Sequence, residues 1–190
     1  MEKKMSICLI CCLLTVLSGC GKSQDPALED EKLHYTQAVD VLRAVVDAYT
    51  DEERFAMYGG DREHAVMDAP GTFDVSQVQE MEDVLGLPSG LASDIEEAAS
   101  MVHMMNGNVF TGAAYRLREG TDQDAFAQAV KTALLEKRWM CGQPDTMLVL
   151  SVDHVYVITA YGEAGIIQTF KEKSMSVLKE TKILMEAPIV

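Results

Sequence analysis

Residues 146–161 read Thr146-Met147-Leu148-Val149-Leu150-Ser151-Val152-Asp153-His154-Val155-Tyr156-Val157-Ile158-Thr159-Ala160-Tyr161. Both halves are rich in β-branched and aromatic residues, which fit a pleated, half-buried surface. Asp153-His154 between them marks a tight turn. The stretch is therefore a β-hairpin with strands at Thr146–Val152 and Val155–Tyr161. Two strands do not make a domain, so the flanking segments must supply both partners and cover.

Upstream, Asn108 to Arg118 alternates and carries Val, Phe, Thr and Tyr, which predicts another strand. Thr121 and Asp124 open a helix with Phe126, Ala129, Val130, Ala133 and Leu134 on its inner face. Lys131, Lys137 and Arg138 suit the negative end of its dipole. Downstream, Glu163 opens a helix with Ile166, Ile167, Phe170, Ser174, Val177 and Leu178 inward, and Lys182 to Glu186 reads as a last strand. The order is β-α-β-β-α-β, with helices expected over one face of a mainly antiparallel sheet. The fold class is α+β.

The N-terminal half shows helical spacing. Ala38, Val41, Leu42, Val45, Val46 and Tyr49 predict a helix from about Leu28 to Tyr49, and Thr50 with Glu53 forms a capping box for a short helix through Met57. Gly59-Gly60 ends it, and Asp61 to Gly71 reads as loop. Asp74 and Gln77 start a helix with Val75, Val78, Met81 and Leu85 inward, closed by Gly86 and Pro88. A second helix is expected from Ser89, with Leu91, Ile95, Ala98, Val102 and Met105 on one side and Asn106-Gly107 as its stop. Residues 28–190 thus read as a single α+β domain, helical over 28–107 and sheet-containing over 108–190.

Ahead of that domain stands a leader. Glu2-Lys3-Lys4 is weakly basic, and Met5 to Leu17 is apolar apart from Ser6 and Thr15. That run has the length of a signal-peptide core and is too short to span a bilayer of about 30 Å as a helix. Leu17-Ser18-Gly19-Cys20 matches the bacterial lipobox at every position. The match implies a lipoprotein signal peptide at 1–19 and a lipid (palmitate-class acyl chains) on Cys20. Residues 20–27 are a polar tether, and its seven residues after Cys20 reach roughly 25 Å when extended.

Composition limits the chemistry. Of five cysteines, Cys8, Cys11 and Cys12 fall in the leader and Cys20 is the lipid attachment residue, so Cys141 is the one free thiol left. No internal disulfide can form, and the domain relies on its core. Hydrophobic residues make up 48% and charged residues 24%, as expected of a folded domain. A formal charge of −14 repels phosphate backbones, which excludes nucleic acid as an expected partner.

Three groups of residues invite a functional reading. Asp61, Glu63, His64 and Asp68 offer oxygen ligands for a hard cation, though their spacing matches no calcium loop. Met101, His103, Met104 and Met105 combine thioether and imidazole, which suits copper(I), yet Met more commonly fills cores. Trp139-Met140-Cys141-Gly142-Gln143-Pro144-Asp145 joins a helix to a strand and holds the only Trp together with the free Cys. A nucleophilic cysteine needs a base, and His34, His64, His103 and His154 are the candidates. Loops on rigid scaffolds often contact ligands, which makes Trp139, Cys141 and Asp145 the candidate ligand-contact residues. No phosphate-binding glycine loop, Gly-x-Ser-x-Gly elbow, zinc helix or Cys-x-x-Cys occurs, so no catalytic residue, cofactor or metal is assigned.

His103-Met104-Met105-Asn106, Phe110, Ala114-Tyr115-Arg116-Leu117 and Trp139-Met140-Cys141-Gly142 with Pro144-Asp145 resemble a family of uncharacterised lipoproteins from anaerobic Gram-positive gut bacteria. The resemblance covers roughly 61–178. It implies a cell-envelope lipoprotein and no catalytic residues. The expectation is a non-enzymatic binding or interaction domain, held by lipid on Cys20 to the extracytoplasmic face of the cell membrane, with an unknown protein or small molecule as its ligand. The alternatives are a hydrolase-like envelope enzyme using Cys141 or acidic residues, and a metal-binding lipoprotein.

Overall fold

The computed structural model describes residues 33–190. The expected leader at 1–19, the expected lipid-attachment residue Cys20, the expected tether at 20–27 and the start of the first expected helix at Leu28 lie outside the described residues.

The chain is α+β, with one fully antiparallel eight-stranded sheet. Helix α1 (Ala38–Asp47) comes first, followed by strands β1 (Met57–Gly59), β2 (Val66–Met67) and β3 (Gly71–Phe73). Helix α2 (Val78–Leu85) and a 3-10 turn (Ser89–Asp94) lead into β4 (Ile95–His103) and β5 (Phe110–Leu117). Then come α3 (Gln123–Glu136), β6 (Thr146–Val152), β7 (Tyr156–Gly162), α4 (Ala164–Val177) and β8 (Lys182–Pro188). The strand order is β2-β1-β4-β5-β7-β6-β8, with β3 also paired to β4. From β5 onward the elements follow the expected β-α-β-β-α-β order, and the last strand forms along β6 from Ser151↔Lys182 to Thr146↔Pro188.

The N-terminal half corrects the sequence reading. Residues 28–107 are not helical throughout, because β1–β4 lie there and pair into the same sheet. The segment expected as a helix from Ser89 to Met105 is a 3-10 turn followed by a nine-residue strand. In β4, Ala98, Ser100 and Val102 alternate with Ala99 and Met101, and all five are buried. A strand covered on both faces shows no polar alternation, so its apolar residues also fit a helical period. Around Thr50 only one turn forms. Its capping-box hydrogen bond is present, Thr50 N to a Glu53 carboxylate oxygen at 2.8 Å, but the chain extends into β1 instead of continuing as a helix.

Helices cover both faces, not the expected one. On one side α1 and α4 pack with Ala99, Met101, Phe110, Ala114, Leu148, Leu150 and Ile158. On the other, α2 and α3 pack with Ala98, Val102, Ala113, Tyr115, Met147, Val149 and Val157. Successive residues of each central strand alternate between these two cores, as the pleat requires.

Helix starts are satisfied locally or from the sheet. Asp122 precedes α3 and accepts from Asp124 N and Ala125 N at 2.9 and 3.0 Å, one residue after the expected Thr121. Gln37 makes no side-chain cap for α1; Glu97 of β4 accepts from Ala38 N at 3.1 Å. Gly86 closes α2 with φ +69°, which a residue without Cβ adopts freely.

Candidate functional site

The sheet has two ends, set by register. Phe110 pairs with Gly162 and Thr146 with Gly162 at one end; Arg116 and Val152 both pair with Tyr156 at the other. The β6–β7 hairpin closes the second end, with Asp153 and His154 both at positive φ. Here the buried Asp153 carboxylate accepts from His34 Nδ1 at 2.8 Å and from the backbone N–H groups of His34 and Tyr35. The first described residues are thereby fastened to the hairpin.

The Trp139 segment lies at the first end. Lys137 turns extended after α3 (φ −65°, ψ 133°) and stops the helix. Its Nζ donates to Asp83 O at 3.0 Å and sits 5.2 Å from the centroid of the Trp139 ring. Trp139 in turn packs on Tyr161, centroids 5.2 Å apart at 59°. The Tyr161 hydroxyl donates to Val84 O at 3.0 Å, tying β7 to α2. Between these groups opens a groove of about 270 Å³, with Tyr58, Val102, Asn108, Trp139, Met140 and Tyr161 among its lining. The buried indole N–H of Trp139 has no hydrogen-bond partner among the described residues.

Two asparagines shape the next turn. Asn108 Nδ2 donates to Met140 O and Gly142 O, each at 2.6 Å, and Asn106 Nδ2 donates to Cys141 O at 3.2 Å. These bonds hold Cys141 and Gly142 at φ +64° and +106°. Met140 is left 81% exposed, and Cys141 is exposed beside it.

Burial sets the ionisation of the groups around the groove. Burial lowers the Lys137 ammonium below the ordinary lysine range, opposed by the nearby Asp83 and Glu82 carboxylates. Burial pushes the Tyr161 hydroxyl up to about 12. Burial, and secondly Glu80, raises Tyr58. Both phenols therefore stay neutral across the physiological range.

The three candidate ligand-contact residues separate. Trp139 lines the groove and Cys141 sits in the exposed turn above it. Asp145 instead joins elements: its carboxylate accepts from Ala164 N at 2.9 Å at the start of α4, and its backbone bonds to Gly162 and Ile189. The four imidazoles are engaged elsewhere or lie at the other end, with the His103 Nδ1 accepting from Met105 N at 3.3 Å. His34 and His154 belong to the opposite end of the sheet, His64 bonds Asp61, and His103 stacks on Phe55 at 5.4 Å.

The other two groups also change character. Asp61 is 3% exposed and accepts from Glu63 N, His64 N, His64 Nδ1 and Asp74 N at 2.8–2.9 Å. Burial alone would raise its carboxyl. The bond from Asp74 N and those from His64 and Glu63 outweigh burial and hold it below the usual carboxylate range. Met101 is buried, His103 half-buried, and Met104 and Met105 exposed, on a strand end rather than one turn of helix. Among the described residues no three His, Cys, Asp or Glu side chains are grouped to hold a metal ion.

Tyr58, Asp83, Val102, Lys137 and Tyr161 do not stand out in the sequence as site residues. The adjacency of Lys137 and Arg138 to the only Trp was the one available signal; the rest meet only through the sheet. Comparison with protein-family models, with curated proteins and with solved structures returns no match.

Proposed function

We propose that this chain is a lipid-anchored, extracytoplasmic binding domain whose contact surface is the groove beside Trp139. Anchoring rests on Leu17-Ser18-Gly19-Cys20, which places the acylated cysteine ahead of the folded part. Two acyl chains, at about 0.8 kcal/mol per buried methylene, hold firmly where one would not. The observation that carries the binding reading is the placement of the groove. It lies at the end of the sheet opposite the hairpin to which His34 is fastened, and a seven-residue strand such as β6 separates the two ends by roughly 20 Å. The groove therefore lies at the far end of the domain from the point where its first described residues are fastened.

Non-enzymatic binding fits better than hydrolysis. Asp145 is occupied at the start of α4, Cys141 sits in an exposed turn, and the His103 Nδ1 at the same end of the sheet already accepts from Met105 N. A nucleophilic thiol needs a base committed to it.

The test is fractionation of cells making the full chain or its Cys20→Ser variant, with metabolic labelling by a palmitate analogue. The full chain is expected in the membrane fraction, labelled, and digested when intact cells are treated with protease. The variant is expected unlabelled and released. A Cys20→Ser chain that stays membrane-bound, or a full chain protected from external protease, overturns the anchored reading.

A further inference from the structure

The lining of the Trp139 groove is unusual for so acidic a chain. Lys137 and Arg138 border it against a single carboxylate, Asp83, while the whole chain carries −14. The Asp83 carboxylate already accepts from Gln79 Nε2 at 3.1 Å. The charged side chains lining the groove are therefore two cations to one carboxylate. Lys137 has spent one N–H on Asp83 O, and the Trp139 N–H is unspent among the described residues. Beside these donors lie the faces of Tyr58, Trp139 and Tyr161 and the thioether of Met140.

We propose that this groove binds a small organic acid, its carboxylate on Lys137 and Arg138 and its apolar or aromatic body against Trp139, Tyr58 and Met140. The inference rests on the binding-domain reading and names the ligand class for it. About 270 Å³ is the volume of roughly nine waters, just under the usual range of ligand sites, so the groove suits one small molecule. Burial disfavours the Lys137 ammonium, and an incoming carboxylate offsets that cost. The adjoining cavity, lined by Glu82, Asp83, Glu136 and Lys137, has the opposite balance and would favour a cation, so charge selectivity separates the two. The same carboxylate could be that of a free acid or of a peptide C-terminus.

Trp139 is the only tryptophan, so its emission reports on the groove without a label. The full chain in detergent is titrated with 3-phenylpropanoate, its amide, 3-phenylpropylamine, and a tripeptide ending in phenylalanine with a free or an amidated C-terminus. A saturable change is expected with the acid, at a Kd of about 1 mM or tighter, and at least about tenfold weaker with the amide. A free-acid tripeptide that binds as well as the small acid assigns the carboxylate to a peptide end; one that does not assigns it to a free acid. Lys137→Met is expected to weaken acid binding about tenfold, and Arg138→Gln, at an exposed position, less. Equal binding of acid and amide, preference for the amine, or no saturable response to any probe overturns the proposal. Preference for the amine would leave the binding-domain reading standing, and the fate of Cys20→Ser decides the anchor independently.

Discussion

Gly59 of β1 and Gly71 of β3 meet backbone to backbone: a Cβ on Gly59 would stand 2.1 Å from Gly71 N and 2.4 Å from Ser100 O. Both strands pair with β4, β1 through Tyr58↔Val102 and β3 through Gly71↔Ser100. The Ser100 hydroxyl bridges the seam, accepting from Gly60 N at 2.9 Å and donating to Gly60 O at 3.3 Å. Glycine is required here by close approach, since neither neighbour is a flexible side chain that could yield.

Gly59→Ala is expected to destabilise the fold by about 3 kcal/mol or more, the upper end of overpacking costs. For a domain of this size that lowers Tm by roughly 10 °C. Gly90→Ala, at a position with nothing within 4 Å of the added Cβ, is the control and should leave Tm almost unchanged. Thermal unfolding followed by circular dichroism checks both.

Asp61 gathers four donors at the head of the loop that follows β1. Its folded carboxyl lies below the ordinary range, so the ionised form is favoured by folding. That contribution is fully present above the unfolded value of about 3.9 and is lost as pH falls through it toward the lower folded value. The Tm difference between wild type and Asp61→Asn should therefore be largest near neutrality and shrink below about pH 4. A difference that grows on acidification would contradict the assignment.

Asp153 and His34 fasten the N-terminal segment to the hairpin across 119 positions of sequence. Removing a buried, charged acceptor of three hydrogen bonds costs about 2–4 kcal/mol, and alanine at φ +52° adds strain. In Asp153→Ala the amides of His34 and Tyr35 should exchange faster in hydrogen-exchange measurements, while those of β5, at the centre of the sheet, change little. His34→Ala should have a smaller effect, because both backbone N–H donors remain.

Asp145 and Trp139 should respond independently. Asp145→Ala removes the acceptor at the start of α4 and should cost about 1 kcal/mol, or roughly 3 °C in Tm. Trp139 emission should keep its wild-type maximum in that variant. Lys137→Met, which removes the cation from above the indole ring, should shift the emission even without ligand.

Much of this architecture can be read in the chain. The hairpin of β6 and β7, the helices α3 and α4 and the edge strand β8 are local: propensity, turn residues and apolar spacing all agree over each segment. The β6 bounds at Thr146 and Val152 coincide with expectation for that reason. What stayed hidden involves contacts remote in sequence. The Ala-Ala-Ser-Met-Val run of β4 (98–102) becomes a strand because β5 pairs along one edge while β1 and β3 share the other. With cores on both faces it carries no period of two.

The candidate site divides along the same line. The sequence by itself determined that the single tryptophan and Cys141, the one cysteine after Cys20, stand in one Gly/Pro turn, next to two basic residues in an acidic chain. Only the tertiary structure decided their roles. Pairing of β4, β5 and β7 brings Val102, Asn108 and Tyr161 beneath Trp139, and α2 delivers the carbonyl that holds Lys137. Asp145 goes to the start of α4, because a free helix N–H is satisfied by the nearest carboxylate in space. Chain order cannot show that proximity; the register of an antiparallel sheet can.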